Sequence, residues 1–216
     1  MNQLDHPNIY SNPNKKSERR LLLKLSGEAL AGLDAPLDFE KVDAIAKELA
    51  TLQKDGYQIG IMIGGGNIYR GRDSVQQQNR TDADHMGMLA TTINALAMQN
   101  SLRNEGAEVQ VLSAIAMEQV CDTFTERKAS ELLEEGVITV FAAGIGRPYF
   151  STDTAAALRA LEVGAAALYC AKNVDGIYEE DPNKVPGLRP YDQISYDEFI
   201  QKGLQAMDQT AVALCR

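Results

Sequence analysis

The sequence predicts an α/β fold, a three-layer α/β/α sandwich around a mainly parallel sheet, on three observations. Short apolar runs alternate with helical patterns from Arg20 to the chain end, the order that yields a parallel sheet covered on both faces. The 216 residues suit one well-buried α/β domain, and neither a repeat nor a linker interrupts them. Glycine-bearing segments directly follow three of the apolar runs.

Taken in order, Arg20–Leu25 is the first buried strand. Asp38 caps a helix running to about Lys54, with Phe39, Val42, Ile45, Ala46, Leu49 and Leu52 on one face and Gly56 as its stop. The second strand is Tyr57–Ile63, followed at once by Gly64-Gly65-Gly66. A long helix from about Asp82 to Asn104 ends at Gly106, and Glu108–Leu112 is a strand. Thr125 precedes a helix over Glu126–Glu135, which Gly136 closes. Val137–Ala142 is the fourth strand, then Gly144-Ile145-Gly146-Arg147-Pro148, a helix over Asp153–Val163 stopped by Gly164, and a fifth strand at Ala166–Cys170. Ser195 and Glu198 have capping-box spacing for a helix that Gly203 ends, and Ala211–Arg216 looks like mid-helix.

Composition excludes several classes. The net charge is −9, from 30 acidic and 21 basic side chains, which argues against a nucleic-acid or anionic-membrane surface. An anionic ligand must then be held by placed Lys, Arg and backbone N–H groups. Cys121, Cys170 and Cys215 are scattered and lack CxxC spacing, so a metal cluster or disulfide framework is not expected and a reducing cytoplasm fits. Residues 1–18 are polar and read as a disordered tail, and no run reaches membrane-span length.

Parallel sheets bind ligands in the loops at the carboxyl ends of their strands. Ser26-Gly27, Gly64–Gly66 and Gly144–Gly146 all fall there, which predicts a site for several phosphates. Lys24 ends an otherwise apolar strand; it is either an ammonium aimed at phosphate oxygens or a strand-end lysine reaching solvent. Gly64–Gly66 is either a tight turn after the strand or a place where backbone approaches a ligand closely, with Arg70, one turn on, adding a fork for phosphate oxygens. Ser151 or Thr152 caps the helix carrying Asp153; that carboxylate either serves the helix dipole or orients Lys24 and helps hold Mg²⁺ brought with ATP. Asp82, Asp84 and His85 crowd the long helix start, where the carboxylates are either ordinary helix-start residues and His85 structural, or Asp84 accepts from sugar hydroxyls. Asp175–Tyr178 and Asp181-Pro182 are either turns or a place for the Tyr178 ring against a base and Asp181 against a ribose. No GxxxxGK[ST] and no dinucleotide-binding GxGxxG with its acidic partner occurs.

These segments together resemble the amino-acid kinase superfamily, and within it the bacterial uridylate kinases. Leu23–Gly27 resembles the opening K-L-S-G, Ile63–Gly71 the I-G-G-G-N-x-x-R-G segment, and Asp84–Thr91 the D-H-M-G-M-L-A-T helix start. Pro148–Asp153 resembles P-[FY]-F-[ST]-T-D, and Val174–Asp181 resembles V-D-G-[VY]-[FY]-x-x-D. The resemblance runs from about Arg20 to the end and implies an amino-acid kinase domain over 19–216, with the fold's C-terminal strands absent from this chain. It implies transfer of the γ-phosphate of ATP to UMP in pyrimidine (CTP) synthesis, with Mg²⁺ carried by ATP rather than by an assured protein ligand set.

By the same resemblance Lys24, Asp153 and Arg70 are catalytic, with Arg70 between the two phosphates. Lys24, Leu25, Ser26, Gly27, Gly66, Arg70, Lys172, Tyr178 and Asp181 contact ATP; Lys172 stands where many relatives carry a small polar residue. Gly65, Asp84, Ile145, Gly146, Arg147, Pro148, Tyr149, Phe150, Ser151 and Thr152 hold UMP, and Asp208 is a further acidic residue facing the nucleotides. A cytoplasmic homohexamer with UTP as feedback inhibitor is implied, with no nucleic-acid or membrane partner. The Gly32–Leu37 loop does not read like a GTP-responsive loop. Two alternatives stand beside this reading: another kinase of the superfamily, and a non-enzymatic nucleotide-binding relative.

Overall fold

The computed structural model describes residues 19–69, 79–172 and 174–216. The tail expected over 1–18, together with Arg70 and Gly71, lies outside the described residues.

Six parallel strands form one sheet in the order β4-β3-β5-β2-β1-β6. They are β1 (Arg20–Leu25), β2 (Gln58–Ile63), β3 (Val109–Ser113), β4 (Asp122–Thr123), β5 (Ile138–Ala142) and β6 (Ala167–Ala171). The helices are α1 (Phe39–Lys54), α2 (Arg80–Asn104), α3 (Glu126–Glu134), α4 (Thr152–Glu162), α5 (Tyr196–Gln201) and α6 (Gln209–Cys215), with a 3-10 turn at Gly27–Leu30.

Successive strand side chains point to opposite faces, so the sheet fills two cores. Ile59, Ile61 and Ile63 of β2 pack with Val42 and Leu49 of α1 and with Met98 and Leu102 of α2. Met62 of the same strand points the other way, to Phe141, to Leu133 of α3 and to Ala155 and Ala156 of α4. Gly60 sits where a Cβ would lie 3.0 Å from the Phe141 ring and 3.1 Å from Leu22, so the second core closes over bare backbone. A third, small cluster joins Phe199, Leu204 and Val212 of α5 and α6.

Helix starts follow their caps. Asp38 accepts from the amides of Glu40 and Lys41, Thr125 from Lys128 and Ser195 from Glu198. Several expectations are corrected. The long helix begins at Arg80 rather than Asp82, because Asn79 caps it through the Thr81 amide. Phe39 and Leu52 are exposed rather than core-facing, since they flank the stripe that α1 turns to the sheet. The two-residue β4 and the 3-10 turn were not anticipated, and the segment expected as mid-helix over Ala211–Arg216 is instead the short α6, begun by its cap Asp208. No helix among the described residues is long and apolar enough to cross a membrane.

Candidate active site

The order β5-β2-β1 places the three glycine-bearing loops side by side at the carboxyl ends of their strands. The Gly64 N–H donates to the Leu25 carbonyl at 2.9 Å. A Cβ on Gly27 would lie 2.5 Å from the Gly64 oxygen, so only glycine permits this approach of the first two loops. Gly146, at φ +75°, lies where a Cβ would meet the Ala114 oxygen at 2.7 Å.

Lys24, at the end of β1, is buried and puts Nζ 3.0 Å from Asp153 Oδ1. Asp153 lies in the first turn of α4, whose cap Ser151 accepts from the Thr154 amide at 3.0 Å. Lys172, just past β6, reaches the other oxygen, Oδ2, at 3.2 Å and also donates to the Ala206 carbonyl. Lys24 approaches Oδ1 as an ion pair without hydrogen-bond alignment, so this buried oxygen has charge compensation but no directed donor. Burial alone would raise the Asp153 pKa; the Lys24 and Lys172 charges outweigh it and hold the carboxyl below its ordinary value. Two cations against one carboxylate leave net positive charge at the sheet edge, which suits phosphate oxygens.

Two cavities flank this cluster. One of about 460 Å³ is lined by Gly65, Asp84, Ile145, Arg147 and the Tyr149–Thr152 segment, with Gly66 and Asp208 also on its wall. Gly146 and Pro148 belong to the same loop without lining it. Thr152, on this wall, directly precedes Asp153. The other cavity, of about 530 Å³, is lined by Tyr178, Asp181 and Lys184 among others, and by Ala206, whose carbonyl binds Lys172. Gly66, expected beside the donor residues, thus borders the cavity opposite Tyr178 and Asp181. Lys24, Leu25, Ser26, Gly27 and Lys172, all expected at ATP, line neither cavity.

Asp84 is already engaged. Arg80, one turn earlier on α2, donates to both its oxygens at 2.9 and 2.8 Å. The Tyr149 N–H donates to Oδ2 at 2.7 Å. Tyr149 holds φ +73°, a strained value for a non-glycine residue, and its ring lies 5.4 Å from the Arg80 guanidinium. Asp84 therefore pins a strained loop against α2. Asp208 caps α6 through the Ala211 amide and accepts from the Thr154 hydroxyl at 3.0 Å and from Ser151. Tyr178 donates to Asp175 at 2.6 Å, and Asp181 accepts from the Asn183 amide at 3.0 Å. His85 and Asp82 are not on the wall of either cavity.

Sequence reasoning missed Arg80, Thr91, Asn94 and Arg159. Arg80 was detectable from its four-residue spacing to Asp84. Arg159 is buried, donates to the Gly144 carbonyl at 3.3 Å and stacks 3.8 Å from the Phe124 ring; its helix position alone carries no such signal. Among the described residues no group of three His, Cys, Asp or Glu side chains gathers as a metal cage.

Comparison with known proteins gives one answer. Residues 19–216 match the amino acid kinase family. The chain is 50% identical over 202 residues to a uridylate kinase of Xanthomonas campestris pv. campestris, covering 93% of this chain and 84% of that one. Among solved structures it resembles UMP kinase from Ureaplasma parvum (36% identity, TM-score 0.87, covering 92% of this chain and 85% of that one). UMP kinase from Bacillus anthracis is similar at 33% identity and TM-score 0.88, covering 92% of this chain and 83% of that one. With its glycine loops, paired lysines and five ordered motifs in place, the chain belongs to the amino acid kinase family, in its bacterial uridylate kinase branch.

Proposed function

We propose that this protein transfers the γ-phosphate of ATP to UMP, giving UDP and ADP, as a step of pyrimidine nucleotide synthesis. The observation that carries the reading is the Lys24–Asp153–Lys172 cluster set between two nucleotide-sized cavities at the sheet's carboxyl edge. The Tyr178 and Asp181 cavity receives ATP. The Asp84 and Ile145–Thr152 cavity receives UMP, with Gly65 amide and Arg147 near its phosphate.

Transfer is in line. A UMP phosphate oxygen forms the new bond to the γ-phosphorus as the bond to the β,γ-bridging oxygen breaks and ADP leaves. The attacking oxygen is ionised at neutral pH and needs no general base, so positioning and charge stabilisation supply the rate. Lys24 and Lys172 stabilise charge on the equatorial and leaving oxygens, and Asp153 holds both ammoniums in place. Arg70, outside the described residues, is assigned between the two phosphates on its motif.

Mg²⁺ carried by the ATP phosphates fits this donor set. Asp153 offers a buried oxygen without a directed donor, and among the described residues no acidic cage is gathered for an ion of the protein's own. When bound, the ion neutralises charge on the transferring phosphate.

Self-association as a homohexamer, inhibition by UTP and a cytoplasmic location complete the proposal. The exposed Met86, Leu89 and Ile93 along α2 support an interface between subunits. The test is ADP release from Mg-ATP with UMP, CMP, dUMP, glutamate or carbamate as acceptor. Turnover confined to UMP is expected; turnover with glutamate or carbamate instead would overturn the acceptor assignment.

A further inference from the structure

Asn94 is wholly buried in the middle of α2, within the apolar stretch Ile93–Met98. A buried amide is tolerated only when its donors and acceptor are matched. Here all three bonds go to the glycine loop after β2 or its neighbour. Asn94 Nδ2 donates to the Gly64 carbonyl and to Asn67 Oδ1, both at 2.7 Å. Asn67 Nδ2 returns a bond to Asn94 Oδ1 at 3.0 Å and also donates to the Pro36 carbonyl at 2.6 Å.

The consequence is geometric. In a trans peptide the C=O and N–H point in opposite directions. With the Gly64 oxygen turned to Asn94, the N–H of Gly65 is turned away from α2's interior side, and Gly65 lines the acceptor cavity. The same oxygen and the Asn67 side chain lie against Gly27: a Cβ there would be 2.5 and 2.4 Å from them. Asn94 therefore fixes two things, the direction of the Gly65 amide and the seat of the loop that follows Lys24.

We infer that Asn94 is a positioning residue for phosphoryl transfer: through the Gly64 carbonyl and Asn67 it aims the Gly65 amide and sets the Lys24 loop against it. The inference rests on the phosphoryl-transfer reading. Neither its own side chain nor Asn67 need touch nucleotide; Asn94 acts through peptide orientation, so its loss lowers turnover more than it weakens substrate capture.

The test compares Asn94→Leu, which keeps the branched shape but removes the donors and the acceptor, with Leu102→Ala, a core change about two turns further along the same helix. Tm, kcat and both KM values are measured with Mg-ATP and UMP on the full chain. Asn94→Leu is expected to lower kcat by about 10-fold or more, the scale of a misaimed donor, while KM changes less. Leu102→Ala is expected to lower Tm at least as far with kcat per folded enzyme retained. Asn67→Ala keeps the fold accessible if Asn94→Leu does not: it should lower kcat in the same sense, and the double variant should lose no more than Asn94→Leu alone. Unchanged kcat in Asn94→Leu or, where that variant does not fold, in Asn67→Ala overturns the inference. So does an equal kcat loss in Leu102→Ala. Wild-type protein without UMP turnover would instead count against the proposed function, which separates the two failures.

Discussion

Lys24 and Asp153 meet at 3.0 Å although one ends the first strand and the other begins the fourth helix. Their pairing joins the two sides of the cleft. Lys172 then binds the second Asp153 oxygen from just past the edge strand, so one carboxylate organises two ammoniums.

Lys24→Ala should lower kcat by about 10²-fold or more, the loss expected on removing one strong transition-state donor. Steady-state kinetics with ATP and UMP reads this directly. Unchanged turnover would remove Lys24 from the chemistry.

Asp153 also makes a pH prediction. Its folded pKa is depressed by Lys24 and Lys172 despite burial. A depressed carboxyl contributes stability above its unfolded pKa of about 4 and loses it as pH falls through the lower folded value. Asp153→Asn should therefore have a lower Tm than wild type at neutral pH, because two ammoniums lose their partner. That difference should narrow on acidification below about pH 4. A gap of constant size down to acid pH would contradict the assignment.

Asp84→Asn retains an oxygen for the Tyr149 amide but loses the charge that holds Arg80. It should raise KM for UMP by about 10-fold and KM for ATP much less, as expected for a lost charged contact on one side of the cleft. Equal changes in both constants would undo the division between the cavities.

Gly146 and Gly136 both hold positive φ, yet their surroundings differ. A Cβ on Gly146 meets the Ala114 oxygen at 2.7 Å, whereas one on Gly136 meets nothing within 4 Å. Gly136→Ala should cost about 1 kcal/mol for backbone strain alone. Gly146→Ala should cost about 1–3 kcal/mol more, because backbone must shift, and should also weaken UMP binding. Thermal melts and KM values for the two variants check this.

Much of the fold was legible because local rules and tertiary packing agree. Asp38, Thr125 and Ser195 cap the helices that their spacing announces, and β1 spans the apolar run Arg20–Leu25. β4 was not legible: two residues carry no periodicity, and only pairing with Leu112 and Ser113 makes them a strand. α6 was read merely as part of a helix, since its start depends on Asp208, which sequence reasoning assigned to the nucleotides.

The site divides in the same way. Lys24, Asp153 and the glycine loops stand out because their residue types are costly or unusual where they occur. The Lys172–Asp153 contact and the Asn94–Gly64 bond join residues far apart in the chain. Packing of α2 on β2 and of α4 on β6 brings them together. An asparagine in an apolar helix was a signal, but its partner was not.

The most direct test follows the phosphate. Wild type and Lys24→Ala are incubated with UMP and ATP labelled on its γ-phosphorus, and the labelled products are separated. The account predicts label on UDP with wild type, and formation slowed by about 10²-fold or more with the variant. Label appearing only as inorganic phosphate, or reaching UDP equally fast in both proteins, would contradict it.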